Sequence, residues 1–159
     1  MKAVFVSDSH GRYGGLQEII EREAPFDVLL HAGDIQGGIG NLEDWAGCPV
    51  YVVKGNCDWY GDYPQECIVP FGRDRIFLTH GHRYGVKLGR QELAAAADRL
   101  GAKIAVYGHT HIPLVEERYG GMTLGPGSVS EPRQENRRPT YGVLERTAEK
   151  GLFWEIKYL

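Results

Sequence analysis

The chain has 159 residues, 42% apolar and 25% charged, with a formal net charge of −3. That length and balance fit one compact domain, here taken as residues 1–159, with a sizeable core. The acidic balance, with no basic stripe interleaved with aromatics, argues against an efficient nucleic-acid binder, and no apolar run approaches the roughly 18 residues of a membrane span.

Three cysteines (Cys48, Cys57 and Cys67) form no CxxC pair and are odd in number, which argues against a disulfide framework and for a reducing compartment. The first apolar run, Ala3 to Val6, is followed by acidic Asp8 two residues on, too short for a secretory signal. A cytoplasmic location is the expectation.

In chain order, Ala3–Ser7 reads as a buried strand, and Leu16–Glu23 as a helix with Leu16, Ile19 and Ile20 on one face, stopped by Pro25. Asp27–His31 and Val50–Lys54 are the next strands, with a weak helix over Asn41–Ala46 between them. This rhythm predicts a parallel sheet covered by helices on both faces. Strands near Glu66–Val69 and Arg75–Thr79 follow, then an alanine-rich helix, Arg90–Leu100, and a buried strand, Lys103–Tyr107. Leu114–Arg118 with Met122–Leu124, and Tyr141–Arg146 with Leu152–Tyr158, read as antiparallel hairpins.

The informative pattern lies just beyond the strands. Asp8-Ser9-His10-Gly11 follows the first, His31-Ala32-Gly33-Asp34 ends the second, and Gly55-Asn56-Cys57-Asp58 follows the third. His80-Gly81-His82 and Gly108-His109-Thr110-His111 follow two later ones. Loops at the carboxyl ends of parallel strands converge on one crevice, so Asp8, His10, Asp34, Asn56, His80, His109 and His111 are expected to meet. Singly, each has a plainer reading: a strand-end Asp is usually a turn residue, and a lone His usually a satisfied polar group. Together, with five of the six histidines in such loops, they read as a metal site. Mixed oxygen and imidazole donors suit Mn²⁺, Fe²⁺, Ni²⁺ or Zn²⁺ better than Ca²⁺ or Mg²⁺ alone, and manganese is the first expectation among them. Seven donors exceed one tetrahedral ion and suit two ions sharing a carboxylate.

The ordered motifs Asp8-x-His10, Gly33-Asp34, Gly55-Asn56-x-Asp58, His80-Gly81-His82 and Gly108-His109-x-His111 resemble those of the calcineurin-like metallophosphoesterase superfamily, in its small bacterial and archaeal phosphodiesterase branch. The resemblance implies an α/β fold: a two-sheet β-sandwich flanked by helices, in αββα layers. It implies that Asp8, His10 and His111 hold one metal, that Asp34 bridges, and that Asn56, His80 and His109 hold the second. It further implies hydrolysis of a small phosphodiester by water activated between the ions, with Asn56 also touching a phosphoryl oxygen. Asp58 is expected to orient a histidine, and His82 to ligate or touch substrate. Where many larger relatives carry a histidine after the motif asparagine, this chain has Cys57, which points to diesters over monoesters. The alternatives are a phosphomonoesterase of the same fold, or a non-catalytic scaffold like the retromer subunit of this fold. The partner is a small phosphate ester, with homo-oligomers (dimer or tetramer) compatible. Arg12, Lys54 and Arg83 lie near the loops, and Gly125–Arg138 could line the site or form a surface loop.

Overall fold

A computed structural model describes residues 1–37, 40, 42–118, 120–149 and 151–159. Its first half runs β1 (Lys2–Val6), α1 (Gly14–Glu23), β2 (Val28–His31), α2 (Leu42–Ala46) and β3 (Val50–Val52). Next come β4 (Glu66–Phe71), β5 (Asp74–Thr79), α3 (Gln91–Arg99) and β6 (Ile104–Val106). Two hairpins close the chain: β7 (Pro113–Arg118) with β8 (Gly121–Pro126), and β9 (Thr140–Thr147) with β10 (Gly151–Tyr158). Of the weak helix expected over Asn41–Ala46, Asn41 lies outside the described residues and the rest is α2.

The strands form two five-stranded mixed sheets, in the orders β10-β9-β1-β2-β3 and β4-β5-β6-β8-β7. β1, β2 and β3 pair in parallel, and β9 adds antiparallel to β1. β5, β6 and β8 are parallel, flanked by antiparallel β4 and β7. One parallel sheet with helices on both faces is therefore not what forms. Each sheet carries helices on one face and packs its other face on the second sheet, giving the α/β sandwich.

Strand alternation explains this layering. Ala3, Phe5, Val28 and Leu30 point inward and meet Ile76, Leu78, Ile104 and Val106 of the other sheet. Their neighbours Val4, Val6 and Leu29 point outward onto Leu16, Ile19 and Ile20 of α1. On the far side, Phe77 and Ala105 face Leu93, Ala96 and Ala97 of α3. Both faces of these central strands are buried, so their sequences are continuous apolar runs. No helix among the described residues is long and apolar enough to cross a membrane.

One buried carboxylate ties α1 to its sheet. Glu23, 4% exposed, meets Lys2 Nζ of β1 at 2.9 Å and Lys157 Nζ of β10 at 3.0 Å. The Tyr141 hydroxyl of β9 donates to it at 2.7 Å. Burial alone would raise its pKa, but these donors prevail and hold it at about 2, below the ordinary 4.5. A depressed folded pKa stabilises the fold above pH 4.5, and that contribution is lost as pH falls through about 2. The stability difference between the parent and Glu23→Gln, measured by urea unfolding, is therefore expected to shrink from pH 5 toward pH 2. A difference constant over that range would contradict it.

Candidate metal centre

The parallel strands β1, β2, β3, β5 and β6 deliver their following loops to one end of the sandwich. Backbone pairing continues past the first two strands: Asp8 N–H donates to Gly33 O at 3.0 Å, His10 N–H to Asp34 O at 3.0 Å and Gly11 N–H to Ile35 O at 2.8 Å. These loops are sharply turned. Among the described residues seven non-glycine residues have positive φ, and five of them are Asp8, His10, Asp34, His109 and His111, at 55°, 45°, 54°, 70° and 59°. Such backbone costs about 1–3 kcal/mol per residue and persists only where the surrounding structure over-determines it, as at active sites and ligand clamps. The third loop approaches so closely that a Cβ on Gly55 would overlap Asp34 Oδ1.

Asp8, His10, Asp34 and His111 each offer one ligand atom, and these lie within 4.8 Å of one another. His111 Nδ1 is 2.7 Å from the Glu131 carbonyl, so Nδ1 carries the proton and Nε2 turns its lone pair inward. That Nε2 is 3.1 Å from Asp8 Oδ1 and 3.4 Å from His10 Nε2. Asp8 is fully buried, its Oδ2 accepts from His109 N–H at 3.1 Å, and its Oδ1 has no hydrogen-bond partner. Burial works to raise the Asp8 pKa, yet His111 and His80 hold it below the ordinary value.

A second group adjoins the first. His80 Nδ1 donates to the Ala32 carbonyl at 2.6 Å, so its Nε2 faces Asn56 Oδ1 at 3.1 Å and Asp34 Oδ2 at 3.4 Å. Three acceptor atoms converging there call for a cation. Burial disfavours a charged His80, but Asp34 and Asp8 outweigh it and raise its pKa. The His109 ring lies 5.1 Å from that of His80. Burial and the charge of His80 hold His109 down at about 4, leaving its imidazole neutral and available as a ligand.

Asp34 stands between the groups. Its Oδ1 accepts from Cys57 N–H at 2.7 Å, while Oδ2 faces His10 Nε2 at 3.9 Å on one side and His80 on the other. These residues fit divalent metal: a buried carboxylate oxygen lacks any donor, and two backbone carbonyls fix imidazole tautomers that aim lone pairs at it.

The remaining expected residues differ in role. Asp58 orients no histidine. Its Oδ2 accepts from Asp34 N–H at 2.9 Å and Gly55 N–H at 2.8 Å, and its Oδ1 from Gln36 N–H at 2.7 Å; it clamps two loops together because their amides, not an imidazole, lie within its reach. His31, at the end of β2, is fully buried. Its Nδ1 accepts from Gly33 N–H at 3.2 Å and its Nε2–H reaches Ser9 Oγ at 3.0 Å. His82 lies with its ring 5.4 Å from His80 and 6.1 Å from His109, its Nδ1 buried and unpartnered. Arg12 is mostly exposed, 3.5 Å from Glu131. Sequence reasoning missed the supports from the Gly125–Arg138 loop: Ser128 Oγ and Ser130 Oγ both donate to Asp8 O, at 2.8 and 2.9 Å, and Glu131 O aims His111. That loop therefore lines the site. The only signal for it was Gly125-Pro126-Gly127-Ser128 directly after a strand.

Known proteins resemble the chain in sequence and in fold. A family model for the calcineurin-like phosphoesterase superfamily domain matches residues 1–149. The protein named "Probable metallophosphoesterase YsnB" of Bacillus subtilis (strain 168) is 37% identical over 147 residues, covering 91% of this chain and 83% of its own length. "Phosphodiesterase YfcE" of Escherichia coli (strain K12) is 30% identical over 171 residues, covering 91% and 88%. A crystal structure of a conserved protein from Streptococcus pneumoniae TIGR4, described as a predicted phosphoesterase, superimposes with a TM-score of 0.85 at 30% identity, covering 99% of this chain and 88% of that one.

Proposed function

The chain belongs to the calcineurin-like phosphoesterase superfamily, and from that premise we propose that it is a phosphodiesterase whose centre holds two divalent cations, manganese first among them. The observation that carries this reading is the shared carboxylate: Asp34 Oδ2 faces His10 on one side and His80 on the other. Asp8, His10 and His111 would hold one ion; Asn56, His80 and His109 would hold the second, with Asp34 common to both. When bound, the ions supply an activated water and offset the charge that builds on phosphorus-bound oxygens.

The chain's own groups do the rest. The Ala32 and Glu131 carbonyls keep His80 and His111 in the tautomer whose Nε2 is free. The Asn56 amide, whose Oδ1 faces His80, now donates through Nδ2 to Cys57 Sγ at 3.2 Å; the same N–H can turn to a phosphoryl oxygen. The His82 ring, 5.4 Å from that of His80, supports a contact with substrate.

Cys57 supports diesters over monoesters. Burial and the neighbouring Asp34 push its thiol up to about 11, so near neutral pH it remains protonated and is a poor acid toward an alkoxide leaving group. Cys57→His is expected to raise hydrolysis of glycerol 2-phosphate, whose alkoxide leaving group needs a proton, relative to bis(para-nitrophenyl) phosphate by about 10-fold. An unchanged ratio would contradict the assignment. The overall reading is tested by loading the chain with Mn²⁺ and assaying that diester. Hydrolysis supports it; a metal-loaded chain inert on both esters favours a scaffold that keeps the fold without the reaction.

A further inference from the structure

Next to the metal centre lies a cleft that the reaction so far leaves without a role. Gln36, Gly37, Cys57, Trp59, Tyr60 and Tyr63 line a cavity of about 460 Å³, within the range of small-molecule sites. Trp59 and Tyr60 are 81% and 91% exposed, an unusual cost for two adjacent large aromatics unless something covers them. The cleft is continuous with the centre: His80 Nε2 is 3.1 Å from Asn56 Oδ1, and Asn56 Nδ2 is 3.2 Å from Cys57 Sγ, which is the cleft wall.

The turn that presents the aromatics is fastened. Asp58 N–H donates to Gly55 O at 3.3 Å and Trp59 N–H to Cys57 O at 3.1 Å. The Tyr63 hydroxyl donates to Gly37 O at 3.3 Å on the opposite wall. Gly61, at φ 113°, lets the chain fold over the Tyr63 ring, where a Cβ would come within 2.7 Å of Cε2. Among the described residues no lysine or arginine lines the cleft, so it suits neither a second phosphate nor a nucleic-acid backbone. A phosphodiester has two organic substituents, and only its phosphoryl oxygens belong on the ions.

We propose that this cleft is the subsite for a flat, uncharged aromatic substituent of the phosphodiester, such as an aryl group or nucleobase, stacked on Trp59 and Tyr60. It rests on the phosphodiesterase reading. The test measures kcat and KM of the Mn²⁺-loaded chain and its W59A and W59F variants on bis(para-nitrophenyl) phosphate and on bis(trifluoroethyl) phosphate, an activated diester without a ring. W59A is expected to lose about 10-fold more kcat/KM on the aryl diester than on the fluoroalkyl one, mainly in KM, with W59F restoring most of it. Equal losses on both diesters, or none on either, overturn the subsite while leaving the phosphodiesterase reading intact. A parent chain that cleaves neither diester overturns both. A W59A chain that sediments at half the parent's mass, with equal rates on both diesters, makes the aromatic pair a contact between copies instead.

Discussion

Asp34→Asn is expected to lower kcat/KM for phosphodiesters by on the order of 10³-fold while leaving the fold intact. The reason lies in which atom the amide can put where. Cys57 N–H donates to Oδ1 at 2.7 Å, so an asparagine must keep its carbonyl oxygen there. Its NH₂ then occupies the place of Oδ2 and points N–H bonds toward His10 and His80, where Oδ2 now lies 3.9 and 3.4 Å from their Nε2 atoms. A lone pair shared by two cation positions becomes a donor, and a negative charge is removed from between them. The steric change is negligible but the Asp34–His80 attraction is lost, so the metal-free variant is expected to keep the fold with a somewhat lower unfolding midpoint at neutral pH. A variant that keeps more than about a tenth of parental activity would exclude Asp34 as the shared ligand.

Asp58→Asn is expected to act on the frame instead. The Asp58 carboxylate is 2% exposed and accepts from three backbone amides, those of Asp34, Gly55 and Gln36. An asparagine turns one oxygen into a donor facing either Gln36 N–H or the Asp34 and Gly55 pair, leaving buried N–H groups unsatisfied. The expected cost is about 2–4 kcal/mol of unfolding free energy. Because these amides fix the β2 and β3 loops relative to each other, metal affinity should fall as well, by about 10–100-fold. Urea unfolding and Mn²⁺ titration of the same variant check both. A loss of affinity without loss of stability would mean that Asp58 acts on the metals and not on the loops.

The misreading of Asp58 shows where sequence stops being informative. The convergence of Asp8, His10, Asp34, Asn56, His80, His109 and His111 was legible because ligand-type side chains recur beside glycine after each apolar run, and parallel strands gather those ends. The groups that aim them were not: Ala32 O and Glu131 O are backbone carbonyls, which any residue would supply. Asp58 carries a side chain that suits either an imidazole or a set of amides, and only the meeting of two loops decides. In the fold, the runs Ala3–Val6 and Ile104–Val106 announced strands buried on both faces. Residue pattern alone placed helices on both of those faces, because an apolar face does not say whether a helix or a second sheet covers it. The resemblance to a known family supplied the two-sheet answer. Pairing of β9 against β1, with Leu144 opposite Ala3, joins segments too distant in sequence for local pattern to match.

The two-ion centre is tested most directly by titrating the metal-free chain with Mn²⁺ and recording its electron paramagnetic resonance spectrum alongside metal content. Two ions per chain with the broadened signal of an exchange-coupled pair are predicted, giving way to an uncoupled signal in Asp34→Asn. One ion per chain, or two with no coupling in the parent, would contradict a centre built around a shared Asp34.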